Sequence, residues 1–90
     1  MSPLRRSSEY ELREQVGRRL HVRRLWLELS QQDVADKAGV TRNFVSAIER
    51  GAQGLDAYRL LLIADALNCT LMWLVTGPDD ALTEAVPGLR

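Results

Sequence analysis

The stretch that decides the fold runs from Ser30 to Gly51 and reads SQQDVADKAGVTRNFVSAIERG. It contains two short amphipathic patterns separated by a single glycine, Gly39. Ser30 is a good N-cap for the first pattern and Thr41 for the second, because their hydroxyl oxygens can accept a hydrogen bond from a backbone N–H of the first helical turn. Two helices of about eight residues joined by a turn of three or four form a helix-turn-helix. The stretch therefore predicts this motif.

The turn between the two short helices is sharp, and small residues make it feasible. Gly39 tolerates the left-handed backbone that ends a helix. Ala35 is small, so the second short helix can cross over the first at close range. Val45 and Ile48, together with Phe44, form the inward face of the second short helix and are expected to fix its angle.

A longer amphipathic pattern precedes the motif and predicts a first helix over residues 9–27. Ser8 and Glu11 have the spacing of a capping box, in which each side chain accepts a hydrogen bond from the other residue's backbone N–H. Apolar residues follow at helical spacing, and these are Leu12, Val16, Leu20 and Leu27.

Two further segments follow the motif. Asp56 is an N-cap for a fourth helix over 57–67, which is rich in leucine, isoleucine and alanine. Residues 69–76 fit either a short helix or, given Cys, Thr, Trp and Val, a strand. Gly77 and the proline after it end this segment in either case.

Charge is unevenly distributed, although the net charge is zero. Up to Trp26 the chain holds seven arginines against three acids, a local excess of 7 − 3 = +4, whereas the last residues are mainly acidic. We therefore predict a flexible basic arm at 1–8, a helix-turn-helix domain at 9–77 and an acidic tail at 78–90. A solvated helix with scattered charge would give the same pattern.

The composition excludes several classes of site. Ninety residues, 46% of them hydrophobic and 27% charged, fit one small globular domain. Cys69 is the only cysteine, so neither an intrachain disulfide nor a zinc site of several thiolates can form. No Ser-His-acid set, carboxylate pair or glycine-rich phosphate loop is visible, so we expect no catalysis, cofactor or metal. No apolar run approaches the roughly 18 residues that span a bilayer, and we expect a cytoplasmic protein.

The outward side of the second short helix is polar or small. Its members are Thr41, Arg42, Asn43, Ser46 and Ala47. They cluster near the N-terminal end of the helix. Because the turn before it is sharp, this end is expected to protrude from the domain. Such a surface fits the roughly 12 Å wide major groove of B-DNA.

With these residues the chain resembles the helix-turn-helix family of the lambda repressor and Cro proteins, also called the xenobiotic-response-element type. The likeness extends from Val16 to Gly77, because VGRRLHVRRLWLELSQQDVADKAGVT, VSAIERG, LLLIADALN and LMWLVTG follow in the family's order and spacing. It implies an all-α, compact five-helix lambda-repressor-like DNA-binding domain with its helix-turn-helix at helices 2 and 3. Glu28 stands where the family often has a glycine, so the connection after helix 1 is expected to differ.

The resemblance also implies which residues touch DNA. Gln31 occupies a position where family members set a glutamine amide and a helix N-terminus against a phosphate. Arg42 and Asn43 occupy positions that face base edges, which suits the pairing of arginine with guanine and of asparagine with adenine. Arg50 and Gln53 follow in a turn that often touches the backbone. The full predicted DNA-binding set is Gln31, Thr41, Arg42, Asn43, Ser46, Ala47, Arg50 and Gln53.

Ordinary structural roles remain alternatives for several of these residues. Arg42 could be a solvated arginine, Asn43 a helix-capping residue and Gln31 a surface helix former. Arg5 and Arg6 resemble basic arms that reach around DNA or into a minor groove. A terminus without a role explains these two arginines equally well.

Arg24 and Glu49 match an architectural ion pair of the family, an arginine of helix 1 bonded to a glutamate that ends helix 3. We expect this pair to hold the two helices together, since removing one partner would leave the other charge buried. His21 has no second metal ligand beside it in the sequence and is expected at the surface or facing a phosphate.

Several apolar residues look unsuited to a free surface. Leu62 and Met72 stand where the family commonly has polar residues, and Leu25 and Trp26 are also very apolar. Because a small monomer seldom exposes much contiguous apolar area, we predict a homodimer with Leu62, Met72 and Trp73 in its interface. A core position for Trp73 is the alternative.

The function implied is that of a sequence-specific DNA-binding transcriptional regulator, a repressor acting as a homodimer on a palindromic operator. The same likeness covers a restriction–modification controller and the antitoxin of a toxin–antitoxin pair, so the protein partner would be a toxin or RNA polymerase. A strand at 69–76 would favour the antitoxin and a helix the repressor, and WLVTG favours the helix. A module that binds protein instead of DNA is the other class, supported by the zero net charge but opposed by Arg42 and Asn43.

Overall fold

The computed structural model describes residues 8–77, and this part of the chain consists of five α-helices and no β-strand. In chain order they are α1 (Glu9–Trp26), α2 (Gln31–Ala38), α3 (Arg42–Glu49), α4 (Ala57–Ala66) and α5 (Leu71–Thr76). The predicted all-α fold is confirmed, with the helix-turn-helix at α2 and α3. Apart from Ser8, the predicted N-terminal arm and C-terminal tail lie outside the described residues.

Capping boxes start α1 and α2 where the sequence predicts an N-cap. The Ser8 hydroxyl accepts from the N–H of Glu11 at 3.1 Å, and the Glu11 carboxylate accepts from the N–H of Ser8 at 2.9 Å. Ser30 and Asp33 form the same reciprocal pair, with both distances at 2.9 Å. Each such cap typically contributes about 1 kcal/mol to stability.

The segment that the sequence left open between helix and strand is the helix α5. It begins because the Thr70 hydroxyl accepts a hydrogen bond from the N–H of Trp73 at 3.0 Å. Its Leu74 side chain is fully buried in the core. The cap and this burial outweigh the strand preference of the individual residues.

Two left-handed residues shape the connections around α2. Gly39 ends the helix with φ +75°, as the sequence predicts, and its N–H donates to the Ala35 carbonyl at 2.9 Å. Glu28 also has a positive φ, +58°, in the turn between α1 and α2. This is a conformation that favours glycine and costs other residues roughly 1–2 kcal/mol. The connection therefore keeps the geometry of a glycine turn without the glycine.

A single apolar core lies where the five helices meet. The predicted inward face of α3, formed by Phe44, Val45 and Ile48, is confirmed, because all three side chains are buried. The buried apolar residues are Val16, Leu20, Val34, Ala35, Ala38, Phe44, Val45, Ile48, Leu60, Ile63, Ala64, Leu67 and Leu74. Since α3 packs against both α1 and α2, its orientation is fixed by this core.

The crossing of α1 and α3 depends on Gly17, which is buried in the middle of α1. A Cβ atom at this position would lie 2.8 Å from the Glu49 carbonyl oxygen and would also overlap the carbonyl oxygen of Ile48. Only glycine therefore allows the two backbones to approach this closely.

Three arginines of α1 are buried, and two of them, Arg19 and Arg23, bond to the ends of other helices. Arg19 donates through Nη1 to the carbonyl oxygen of Leu74 at 3.0 Å and also bonds the carbonyl of Gly77. Arg23 donates through Nε to the Leu67 carbonyl at 2.7 Å. They thus satisfy carbonyl groups at the ends of α5 and α4, which lack partners within their helices. Part of the basic excess in the N-terminal half therefore points inward.

Candidate nucleic-acid interface

The first turn of α3 presents the polar surface on which the predicted DNA contacts depend. Thr41, Arg42 and Asn43 are exposed, and Ser46 and Ala47 on the next turn are half-buried. The opposite face of the helix is held in the core. The predicted base-reading residues therefore lie on one face of α3, on a rigid support.

Thr41 has a local structural task at this surface. Its hydroxyl accepts a hydrogen bond from the N–H of Phe44 at 3.0 Å, which caps α3. The next two residues, Arg42 and Asn43, begin the helix, where backbone N–H groups and the helix dipole present positive partial charge. Arg42 and Asn43 therefore lie at the end of α3 that attracts an anionic ligand.

Behind α3, an ion pair ties its C-terminal end to α1. Arg24 donates to the Glu49 carboxylate through Nε at 2.6 Å and through Nη2 at 3.1 Å, and its Nη1 donates to the Leu29 carbonyl at 2.9 Å. The Glu49 side chain is only 6% exposed. The structure thus brings together the two residues that the family resemblance pairs, in a two-point geometry.

The Glu49 carboxylate also contacts His21 and Gln31. Nδ1 of His21 lies 2.9 Å from Oε1 of Glu49, and the Gln31 amide donates to the same oxygen at 3.2 Å. Burial raises the pKa of Glu49, but the hydrogen bonds from Arg24, His21 and Gln31 outweigh it, and the pKa lies below its ordinary value. The carboxylate is therefore held ionised in the folded protein.

Gln31 and His21 differ in part from the sequence expectation. Gln31 is the first residue of α2, as expected for a phosphate contact, but its amide is bonded to Glu49. His21 is exposed, yet its Nδ1 faces Glu49 and Arg24 rather than open solvent. The link between these two residues passes through Glu49 and has no signal in the local sequence.

Arg50 and Gln53 follow α3 in the connection to α4. Arg50 is exposed, with its Nε 3.4 Å from the Ser46 hydroxyl, and Gln53 is half-buried. Both lie at the opposite end of α3 from Arg42. The predicted contacts therefore lie along the length of the helix.

The candidate dimer residues are not equally accessible. Met72 is exposed, whereas Leu62 and Trp73 are half-buried against the core. On α4, the exposed large apolar side chains are instead Tyr58 and Leu61, which were not among the predicted interface residues. Their spacing of three residues could have identified them, since it puts both on one side of a helix.

Arg59 is a further residue near the motif that sequence reasoning missed. Its guanidinium carbon lies over the Phe44 ring, 4.9 Å from the ring centroid. The contact joins α4 to the first turn of α3. Nothing in the sequence links two residues that lie so far apart along the chain.

The part of the chain that the structure describes contains neither a membrane-spanning helix nor a metal-binding cluster. Within residues 8–77, no helix combines the length and the apolar character needed to cross a membrane. The same residues contain no cluster of three or more His, Cys, Asp or Glu side chains able to hold a metal ion.

Known proteins share this arrangement. The family model for helix-turn-helix proteins matches residues 20–74. The uncharacterized HTH-type transcriptional regulator y4aM of Sinorhizobium fredii is 42% identical over 53 residues, which are 59% of this chain and 37% of that protein. The match therefore spans well under half of the length of that relative.

Two solved structures are also similar. The restriction-modification controller protein C.AhdI of Aeromonas hydrophila is 31% identical with a TM-score of 0.67, over 69% of this chain and 94% of that one. The P22 c2 repressor in complex with synthetic operator 9T is 28% identical with a TM-score of 0.66, over 70% and 96%.

Proposed function

The chain belongs to the helix-turn-helix family of the lambda repressor and Cro type, and we propose on this basis that it is a sequence-specific DNA-binding transcriptional regulator. The observation that carries the proposal is the exposed first turn of α3, with Thr41, Arg42 and Asn43, on a helix fixed from behind by the core and by the Arg24–Glu49 pair. We assign it no catalytic activity, and we place it in the cytoplasm.

In this proposal α3 enters the major groove with its N-terminal turn foremost. Arg42 donates two hydrogen bonds to a guanine, and Asn43 pairs with an adenine. Ala47 contacts a thymine methyl group from the next turn. Ser46 and Thr41 flank these base contacts, and Gln31, Arg50 and Gln53 contact the phosphate backbone and set the register of α3. For Gln31, this requires its amide to turn from Glu49 to a phosphate.

Replacing Arg42 by alanine should weaken binding to the preferred duplex by about 1–3 kcal/mol and relax the preference at one base position. The physical reason is the loss of a bidentate contact that only one base pair satisfies. Equilibrium titration of the wild-type protein and the variant against the preferred duplex and its single-base variants measures both effects.

Arg42→Lys is the matched control for this experiment. It keeps the positive charge and loses the planar, two-point geometry. It should retain the salt dependence of binding while losing most of the base preference. Unchanged affinity and unchanged base preference in Arg42→Ala would contradict the placement of α3 in the groove.

We further propose that the protein acts as a homodimer through α4 and α5. Tyr58, Leu61 and Met72 are all more than half exposed, which supports an apolar contact between two copies. A two-fold dimer presents two copies of α3 to half-sites one helical turn apart, so the operator would be palindromic.

Changing Leu61 to glutamate should raise the dimer dissociation constant roughly tenfold or more, because the interface would have to bury a charge. Sedimentation equilibrium measures the change. Leu25→Glu is a matched control, because Leu25 is 54% exposed on α1 and Leu61 is 52% exposed on α4. Loss of the dimer in the Leu25 variant rather than the Leu61 variant would contradict the proposed interface.

A restriction–modification controller is the second candidate role. It is favoured by the 31% identity to C.AhdI, of which 94% is covered. Because α5 is a helix, the antitoxin alternative, which a strand there would favour, is less supported. In vitro transcription from the preferred duplex separates the roles: a repressor lowers the transcript level, whereas an activating controller raises it through RNA polymerase.

A further inference from the structure

A small cavity opens beside the turn of the helix-turn-helix. Its volume is about 270 Å³, and its lining comes from both the motif and α4. The lining residues are Gly39, Val40, Thr41, Phe44 and Arg59. One wall is thus the N-cap of α3, and another is an arginine from a different helix.

Arg59 is positioned over this cavity by an aromatic ring. Its guanidinium carbon lies 4.9 Å from the centroid of Phe44, whose own side chain is buried. A cation held over a ring face is attracted by the ring's π electrons. The contact restricts a long side chain before any ligand arrives, so less conformational entropy is lost on binding.

Among residues 8–77, Arg59 forms one ion pair, and that pair is weak. Its Nε lies 3.5 Å from Oδ2 of Asp56, and the two side chains are 51% and 45% exposed. An exposed ion pair of this length contributes little to stability and is easily exchanged for a stronger acceptor. A phosphate oxygen pair is such an acceptor, because it matches the planar fork of a guanidinium.

We propose that Arg59 binds a phosphate of the DNA backbone at this cavity, next to the α3 residues that read bases. This inference rests on the proposed function, because it needs α3 in the groove. Thr41 lines the cavity and Arg42 follows it directly. In the proposed complex, DNA that reaches Arg42 brings a backbone strand past Thr41 to the mouth of the cavity. Arg59 sets the position of α3 in the groove and contributes no base preference.

The test compares three forms of the full chain on the preferred duplex and on an unrelated duplex over a range of salt concentrations. Arg59→Met keeps an apolar stem over Phe44 and removes the charge. It should weaken binding to both duplexes about tenfold and lower the slope of log affinity against log salt by about 0.9. Asp56→Asn retains a good N-cap for α4. It should strengthen binding to both duplexes, since it removes the charge that competes for Arg59.

The outcomes separate this inference from the proposed function. Specific wild-type binding with the same salt slope in Arg59→Met would overturn the phosphate contact, whether or not the variant is less stable to heat. Loss of specificity in Arg42→Ala together with a lower slope in Arg59→Met supports both. Absence of any sequence preference in the wild-type protein would overturn the proposed function itself.

Discussion

Replacing Arg24 by methionine will lower the free energy of unfolding by about 3–5 kcal/mol. The variant leaves Glu49 in a site where its side chain is 6% exposed, and within residues 8–77 only His21 and Gln31 remain as donors to its carboxylate. Methionine fills a similar volume, so the loss measures the missing charge and hydrogen bonds rather than a cavity. Urea unfolding followed by circular dichroism provides the measurement.

The double variant Arg24→Met, Glu49→Leu is the control for this prediction. Replacing both members of a buried ion pair by apolar residues is often neutral or stabilising. The double variant should therefore recover most of the stability lost in Arg24→Met. If Arg24→Met alone unfolds like the wild-type protein, the pair has no architectural role.

The pH dependence of the wild-type protein gives an independent readout of the same carboxylate. The pKa of Glu49 is lower in the folded protein than its ordinary value of 4.5. Its contribution to stability is therefore fully present above that value and is lost as the pH falls through the folded-state pKa. The double variant lacks this component, so its stability should fall less in acid.

Gly17→Ala is the second substitution with a large expected effect, a loss of about 2–3 kcal/mol. A Cβ atom there would overlap the carbonyl oxygen of Ile48 and lie 2.8 Å from that of Glu49, so α1 and α3 would have to move apart. Alanine is the better helix former by about 1 kcal/mol, and this gain offsets only part of the clash. Thermal and urea unfolding measure the net change.

Gly54→Ala is the matched control for Gly17→Ala. A Cβ atom at Gly54 would meet only Nη2 of Arg13 at 3.6 Å, an ordinary contact. This variant should stay within about 0.5 kcal/mol of the wild-type stability. Equal stability of the two alanine variants would show that the close crossing of α1 and α3 is not required. Because that crossing fixes the position of α3, Gly17→Ala should also weaken DNA binding.

The elements with local signals were predictable from the sequence. The side chains of Ser8, Ser30, Thr41 and Asp56 start helices, and Gly39 ends one, through bonds to neighbours within a few residues. Such chemistry is visible in a short stretch of sequence. The boundaries of α1 to α4 consequently lie within one residue of the predicted ones.

The contacts that no local pattern carries were not predictable. In the sequence, Arg19 and Arg23 belong to a run of basic residues that indicates a charged surface. Their burial could not be predicted, because their carbonyl partners lie 55 and 44 residues away. Arg59 likewise meets Phe44 only through the packing of α4 against the motif. Only the fold brings these groups together.

In the candidate interface, too, some features follow from local sequence patterns and others depend on how the helices pack. The exposed face of α3 follows from helical spacing, whereas the bond from Gln31 to Glu49 depends on how α2 and α3 pack. The DNA contacts themselves remain predictions, and each of them depends on α3 entering the groove.

The central claim is that α3 reads a specific DNA sequence, and selection from a random duplex library tests it most directly. The purified full chain would be used at near-physiological salt, and the bound duplexes sequenced. We predict enrichment of a palindrome with half-sites about 10 bp apart. Binding without any enriched sequence, abolished by moderate salt, would mean backbone attraction alone and would contradict the claim.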